Sequence, residues 1–195
     1  IEAARDAGFR SVNCDLIYGL PKQTPECFRR TVEEMIAAAP DRIALYHYAH
    51  LPTVFKPQRR IAEADLPSSA AKARMFEEAV RLFEAAGYLY LGLDHFAKAD
   101  DELAIAQREG PRHRNFQGYT SHHPGDLLAL GVSAISSVGD VYAQNVKVLQ
   151  GYYDALAAVR LPVVRGIRLD RDDFVRRDAI QSLMCRFSLD CGWLA

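Results

Sequence analysis

The apolar positions of the first fifty residues follow two periods, one typical of strands and one typical of helices. Residues 9–18 and 42–49 are rich in apolar and β-branched side chains, which predicts two buried strands, the second of them covered on both faces of a sheet. Between them, Phe28, Val32 and Ile36 recur at every fourth position, and this spacing predicts a helix with one apolar face. The pattern therefore predicts a strand–helix–strand unit.

The alternation continues, with a helix predicted over residues 69–86 and a third strand over residues 88–93. Strands that alternate with helices of this length favour right-handed crossovers and a parallel sheet, either an open doubly wound sheet or part of a barrel. A further strand is predicted over residues 127–136, and amphipathic helices are predicted over residues 144–158 and 172–187. The sequence therefore predicts an α/β fold.

The last two predicted helices leave the alternating rhythm, which predicts a change of domain within residues 142–163. Residues 1–7 have the pattern of the last turns of a helix, and Gly8 follows where a left-handed cap is favoured. The chain also stops soon after its final helical pattern, without a capping residue. We therefore expect the chain to be an internal piece of a longer protein.

Composition and charge narrow the classes of partner. The chain has 195 residues, 49% of them hydrophobic, and a formal net charge of -1. It can bury a sizeable core, but its Lys and Arg residues are scattered and form no basic patch for nucleic acid or an anionic membrane. No apolar run reaches the roughly 18 to 20 residues that a membrane span needs. A small-molecule ligand and a cytoplasmic location are therefore expected.

The cysteines offer no metal site. Cys14, Cys27, Cys185 and Cys191 lie at spacings that match no zinc knuckle, redox pair or cluster loop. Cys14 and Cys27 fall where a strand and a helix favour small buried residues, which predicts packing rather than chemistry. No metal ligand is therefore assigned.

Asp15 lies inside the first predicted strand. A buried carboxylate costs several kcal/mol unless it is paired or hydrogen-bonded, so a partner is required. Near the carboxyl end of a parallel strand that partner is often a ligand, but a neighbouring backbone group or arginine would serve as well. The sequence leaves both alternatives open.

Three histidines are predicted to lie at strand ends. His47 and His50 close the second strand and His95 closes the third, so they could gather at one face of the sheet. Three-residue spacing on an extended segment points His47 and His50 to opposite sides, and no metal pattern is completed. A hydrogen-bonding or substrate-lining role is favoured over a metal site.

The loop over residues 112–119 combines cations, an amide and aromatic rings. Such a loop could receive an anionic, planar ligand, or it could be a solvated turn with one packed aromatic. Lys56, Arg59 and Arg60 on an earlier loop favour the ligand, since a substrate with several carboxylates needs cationic partners. Both alternatives stay open at this point.

Several strings, in order along nearly the whole chain, resemble the oxygen-independent coproporphyrinogen III oxidases of the radical S-adenosylmethionine superfamily. The first, DLIYGLPKQTP, indicates the superfamily only. The others resemble the oxidase branch: YAHLPT at 48–53, DLPS at 65–68, DHFA at 94–97, DDEL at 100–103, RNFQGYT at 114–120, GVSAIS at 131–136 and YAQN at 142–145.

This resemblance implies that residues 1–141 form the later part of a partial (βα) barrel with its substrate-side loops, and that residues 142–195 begin a mostly helical C-terminal domain. It implies a monomer that converts two propionate side chains of coproporphyrinogen III to vinyl groups, giving protoporphyrinogen IX. S-adenosylmethionine, a 4Fe-4S cluster and an external electron donor and acceptor are implied as cofactors and partners.

The resemblance also implies site residues. Asp15 matches a contact of S-adenosylmethionine, Ala49 a second contact through its backbone, and Ile135 a third. Gln117, with Phe116 beside it, matches a region near a second S-adenosylmethionine or the substrate. The catalytic residues are not assigned.

The CxxxCxxC loop that binds such a cluster is absent from the sequence, so the cluster ligands are expected outside this chain, and the chain alone is expected to be inactive.

Two alternatives remain. A haem-trafficking chaperone of the same superfamily shares the first string, but the strings at 94–97 and 114–120 favour the oxidase branch. A lyase or aldolase on an ordinary barrel would need a Schiff-base lysine or a metal cluster at strand ends, and the sequence indicates neither.

Overall fold

The computed structural model describes residues 1–110, 112–115, 118–121 and 125–193. The chain forms two compact units, Ile1–Arg108 and Glu109–Ala195. Within the described residues, no helix is long and apolar enough to cross a membrane.

The first unit is a four-stranded sheet with helices. Its strands are β1 (Asn13–Tyr18), β2 (Arg42–His47), β3 (Tyr88–Gly92) and β4 (His95–Lys98). Its helices are α1 (Glu2–Asp6), α2 (Pro25–Ala38), α3 (Ser69–Ala85) and α4 (Glu102–Glu109), with 3₁₀ turns at Lys56–Arg60 and Glu63–Asp65. The mixed α/β class expected from the sequence is confirmed.

The strand order is β1-β2-β4-β3, and only the β1–β2 pair is parallel. β4 lies antiparallel to both β2 and β3, so the expectation of a parallel sheet throughout was wrong. The chain reverses directly after β3 because Gly92 and Leu93 both have positive φ, at 114° and 56°. This tight reversal inserts β4 between β2 and β3.

One face of this sheet carries the hydrophobic core. Leu16, Ile43, Leu45 and Phe96 of the strands pack with apolar residues of α2 and α3, and among these Phe83 is 0% exposed. Phe28 and Val32 of the predicted apolar stripe are buried in this core, which confirms the stripe. The other face exposes Ile17 and Tyr46, so neither the expected burial of the first strand nor the expected coverage of the second on both faces is complete.

Two residue types that favour a helix start stand at the beginning of α2. The Thr24 hydroxyl accepts a hydrogen bond from the N–H of Cys27 at 3.2 Å, and Pro25 occupies the first helical position of α2. Cys27 itself is exposed and Cys14 half-buried, which corrects the expectation that both are buried. The capping residues therefore determine where α2 begins, but they do not determine which of its side chains, such as that of Cys27, are buried.

Asp41 organises the amino-terminal edge of the sheet. Its carboxylate accepts from the N–H of Val12 at 2.8 Å and lies 3.2 Å from the guanidinium of Arg5 and 3.6 Å from the ammonium of Lys98. Burial alone would raise the pKa of Asp41, but these three partners outweigh it and hold the pKa below its ordinary value.

We expect Asp41→Asn to lower the free energy of unfolding at neutral pH by about 1 to 3 kcal/mol, because charge-assisted hydrogen bonds are lost. Since the pKa of Asp41 is lower in the folded state, its contribution is complete above the unfolded pKa of about 3.9 and is lost as the pH falls through the folded pKa. Urea denaturation at several pH values, with Asp6→Asn as an exposed control, checks this. A difference between variant and wild type that persists undiminished in acid would contradict it.

The second unit contains the hairpin β5 (His113–Arg114) and β6 (Tyr119–Thr120) and a three-stranded antiparallel sheet. That sheet consists of β7 (Ile135–Val138), β8 (Val141–Asn145) and β9 (Val163–Arg168), in this order. The helices are α5 (Leu149–Ala157) and α6 (Arg171–Arg186), and a 3₁₀ turn follows at Cys191–Trp193.

The structure corrects two boundaries in this unit and confirms one. The strand expected over 127–136 begins only at Ile135, and the helix expected from residue 144 begins at Leu149, because β8 pairs with β7 and β9 instead. The last helix is confirmed, with Asp170 as its cap in a reciprocal pair with Asp173. The expected domain boundary after residue 141 falls within β8 and stays a prediction.

Candidate functional site

The exposed face of the first sheet is the candidate site of the first unit, and we call it the open face. The parallel register pairs Asp15 with Ala44 and Ile17 with Tyr46, which places all four side chains on this face. Asp15 is exposed, not buried as the sequence suggested, and its Oδ1 accepts a hydrogen bond from Nδ2 of Asn13 at 2.7 Å. The carboxylate is therefore available to a ligand without a burial penalty.

Negative charge collects around Tyr46. Burial, and then the charges of Asp15 and Asp94, raise the pKa of the Tyr46 phenol, so it stays a neutral donor at physiological pH. Asp94 is itself fixed, because its carbonyl accepts from the N–H of Leu45 at 2.7 Å. Two carboxylates beside a phenol suit a ligand that offers hydroxyl donors or positive charge.

Ala49 follows β2 by two residues, where the chain leaves the sheet. Its carbonyl accepts a hydrogen bond from Nε2 of Gln58 at 3.0 Å, and Oε1 of Gln58 accepts from the N–H of Leu51 at 2.5 Å. The N–H of Tyr48 donates to the carbonyl of Tyr18 at 2.9 Å, which ties this loop to the end of β1. Asp15 thus lies within β1, and Ala49 lies just after the carboxyl end of the adjacent parallel strand β2.

Ile135 opens β7 in the second unit and lines a groove of about 350 Å³ over the three-stranded sheet. It pairs across the sheet with Gln144, and Gln144 pairs with Arg165 of β9. Nε of Arg165 donates to Oε1 of Gln144 at 2.7 Å. The predicted contact residue is therefore part of a groove that also contains a cation.

Phe116 and Gln117 lie outside the described residues. The strand before them, β5, is tied to α6. The N–H of Arg114 donates to Oε1 of Gln181 at 3.0 Å, and Nε2 of Gln181 donates to the carbonyl of Arg114 at 2.6 Å. The N–H of Asn115 also donates to the carbonyl of Gly118 at 2.9 Å. The backbone before the predicted pair is thus held by α6, and Asn115 joins it to Gly118 after the pair.

Arg112 does not serve as a ligand cation, although the sequence allowed it. It is 3% exposed, its guanidinium lies 4.4 Å from the ring centroid of Tyr119, and it donates to the carbonyl of Cys185. Burial lowers the pKa of Arg112. Its guanidinium is therefore engaged by Tyr119 and Cys185 inside the protein rather than open to an anionic substrate.

Comparisons with known proteins cover nearly the whole chain. No family model matches it. It is 54% identical to the oxygen-independent coproporphyrinogen III oxidase of Escherichia coli (strain K12) over 187 residues, which are 96% of this chain and 41% of that protein. The oxidase of Pseudomonas aeruginosa is 53% identical over 189 residues, covering 97% of this chain and 41% of its own length. A solved structure, described as the Escherichia coli coproporphyrinogen III oxidase and a radical SAM enzyme, matches with a TM-score of 0.94 and 53% identity over 97% of this chain and 44% of that chain.

The chain belongs to the family of the oxygen-independent coproporphyrinogen III oxidases. It spans about two fifths of the length of these relatives. The resemblance read from the sequence strings is confirmed, and the haem-chaperone alternative is not favoured.

The three histidines do not converge on the open face of this oxidase-family chain. His47 lies on the core side of β2 with its ring centroid 5.3 Å from that of Tyr18, whereas His95 pairs with Ala44 and so lies on the opposite side. Burial, and then the charge of Lys72, lower the pKa of His47. Nδ1 of His95 lies 2.5 Å from Oδ1 of Asp94. Within the described part of the chain, no group of three or more His, Cys, Asp or Glu residues could hold a metal ion.

Sequence reasoning missed Tyr46, Asp94, Gln144 and Arg165 as members of the two sites. Tyr46 was assigned to an apolar strand, and only the parallel register shows that it shares a face with Asp15. Arg165 stands beside Gly166, and a glycine inside a strand signals a close backbone approach, which could have drawn attention to β9.

Proposed function

We propose that the protein carrying this chain converts two propionate side chains of coproporphyrinogen III to vinyl groups, giving protoporphyrinogen IX. The observation that supports the proposal is the match of almost the entire chain to proteins named coproporphyrinogen III oxidase. The sequence identity is 54% to one relative, and the TM-score is 0.94 to a solved structure. An external electron donor and acceptor are part of the same proposal, since forming a radical from S-adenosylmethionine would consume an electron and each oxidative decarboxylation would release one.

S-adenosylmethionine is the cofactor that the open face fits. Its ribose hydroxyls are hydrogen-bond donors and its sulfonium carries positive charge, and Asp15, Asp94 and the neutral Tyr46 phenol offer acceptors and negative charge to such a molecule. Asp15 would accept a hydrogen bond from the cofactor, and Ala49 would lie against the cofactor just after the end of β2. When bound to a 4Fe-4S cluster, S-adenosylmethionine supplies the radical that removes hydrogen from a propionate side chain.

The cluster ligands would lie outside this chain. Its cysteines stand at positions 14, 27, 185 and 191, and three thiolates at CxxxCxxC spacing are needed to leave one iron open for S-adenosylmethionine. The residues of this chain would therefore bind and orient the cofactor and substrate, and exclude water from them, without holding the metal.

We expect Asp15→Asn in the full-length protein to preserve the fold and to weaken S-adenosylmethionine binding by about 1.5 kcal/mol or more, because an amide replaces a charged acceptor. Equilibrium dialysis with labelled S-adenosylmethionine measures the affinity, and Asp6→Asn, on exposed α1, is the matched control.

Equal affinity in Asp15→Asn and the control would assign Asp15 a structural role only. The function itself is tested by incubating the reduced, cluster-loaded wild-type protein with S-adenosylmethionine and coproporphyrinogen III. Absence of vinyl products under those conditions would overturn the proposed reaction, whatever the role of Asp15.

A further inference from the structure

The groove of the second unit contains an oriented cation. Ile135, Gln144 and Arg165 are direct neighbours across β7, β8 and β9, so their side chains share one face of the sheet. Arg165 is exposed at the side of the groove, while Ile135 and Gln144 are half-buried in it. This row joins an apolar wall, an amide and a guanidinium over a short distance.

Hydrogen bonds fix the direction of the Arg165 guanidinium. Its Nε donates to Oε1 of Gln144 at 2.7 Å, and Nε2 of Gln144 donates to the carbonyl of Ser133 at 3.0 Å. The amide is therefore held on both sides and cannot rotate without losing a bond. The terminal nitrogens of Arg165 are left as a planar pair of donors, the geometry that binds a carboxylate through two parallel hydrogen bonds.

Arg165 differs from its neighbour Arg168 on the same strand. Nε of Arg168 lies 2.7 Å from a carboxylate oxygen of Asp140, so its charge is already paired within the protein. In the part of the chain that the structure describes, no carboxylate forms an ion pair with Arg165. Arg165 can therefore pair with an external anion, whereas the charge of Arg168 is already paired with Asp140.

Gly166 fixes the register that aims Arg165. A Cβ at this position would lie 2.9 Å from the carbonyl oxygen of Tyr142, so only glycine lets β9 approach β8 this closely. Any larger residue would push β9 outward and move Arg165 away from Gln144. The backbone is therefore built so that the guanidinium stays at the groove.

We propose that Arg165 binds a carboxylate of the ligand that occupies this groove, with Gln144 as its positioning residue. The proposal rests on the proposed function, which supplies ligands of this chemistry. Coproporphyrinogen III carries propionate carboxylates, and S-adenosylmethionine carries one amino-acid carboxylate. Arg165 recognises the group that both share, and binding measurements distinguish the two sources.

The test uses the full-length protein with its cluster reconstituted, and it needs no turnover. Coproporphyrin III, the stable fluorescent form of the substrate, is titrated against wild type, Arg165→Met, Arg165→Lys and the matched control Arg168→Met. S-adenosylmethionine is titrated in parallel by equilibrium dialysis. Arg165→Met should raise the dissociation constant of one ligand by roughly tenfold or more, while Arg168→Met leaves both near wild type.

Arg165→Lys should recover part of the loss, because it keeps the charge but not the planar fork, and a merely structural role would show no such graded rescue. Weaker coproporphyrin binding assigns the carboxylate to the substrate, and weaker S-adenosylmethionine binding assigns it to the cofactor. Unchanged binding of both ligands by Arg165→Met overturns the proposal. Wild-type protein that binds neither ligand would overturn the proposed function along with it.

Discussion

Ile135→Ala and Gln117→Ala in the full-length protein are each expected to lower the rate of protoporphyrinogen formation by on the order of a hundredfold, because a misplacement of about 1 Å at a reacting centre costs that much. Ile135 forms an apolar wall of the groove beside Gln144, and its truncation leaves room for the ligand to shift. Gln117 offers an amide that both donates and accepts, and alanine offers neither.

Both variants should retain a normal cluster absorption spectrum, since neither residue is expected near the cluster ligands. Val138→Ala, at the exposed end of the same strand β7, is the matched control for Ile135→Ala. Turnover at the wild-type rate in both site variants would remove them from the ligand site. Loss of the cluster spectrum would instead show a folding defect and contradict the positioning role.

Phe83→Ala is expected to lower the free energy of unfolding by about 3 to 5 kcal/mol, because it deletes a fully buried ring and leaves a cavity. Phe83 is 0% exposed, and its ring centroid lies 5.0 Å from that of Phe96 and 5.9 Å from that of Tyr88. The ring joins α3 to both β3 and β4, so its loss weakens the attachment of the helix to two strands.

Urea denaturation followed by far-ultraviolet circular dichroism measures this loss. The control is Phe9→Ala, the same truncation at a residue that is 65% exposed, which should change the midpoint little. Similar losses for the two variants would mean that the core around Phe83 is not the main source of stability in the first unit.

Local signals in the sequence agree with the starts of two helices, α2 and α6. Thr24 and Pro25 stand at the start of α2 and Asp170 at the start of α6, where their residue types are favoured, because caps act between residues three apart. The four-residue spacing of Phe28 and Val32 likewise identified the buried side of α2. These features depend on residues that are close together in the chain, so the sequence alone is enough to predict them.

Strand partners could not be predicted in the same way. β4 lies between β2 and β3 because the chain reverses at Gly92 and Leu93, and Leu93 is a residue that rarely adopts positive φ. The end of β8 was interpreted as the start of a helix because its pairing with β9 joins residues that are distant in sequence, such as Gln144 and Arg165, 21 residues apart. Pairing across the sheet outweighed the local propensity at both places.

The candidate sites show the same difference between features set by neighbours along the chain and features set by distant partners. Asp15 was identified as a candidate from its residue type and its position in a strand. Its exposure could not be predicted, because the sequence of a strand does not show whether another element covers that face of the sheet. Arg165 was overlooked because an arginine in a strand is ordinary until its partners are known. Its significance depends on Gln144 and Ser133, which lie 21 residues or more before it in the sequence.

The attachment of the β5–β6 hairpin to α6 constrains the order in which the second unit can form during synthesis. Arg114 and Gln181 are separated by 67 residues, and Arg112 and Cys185 by 73. The emerging hairpin therefore meets its anchors only after the ribosome has released nearly all of the unit, and closing so long a loop is slow. Until then, Arg112 and Arg114 have none of these contacts, so a hairpin that is made early in this unit is anchored only by a helix that is made much later.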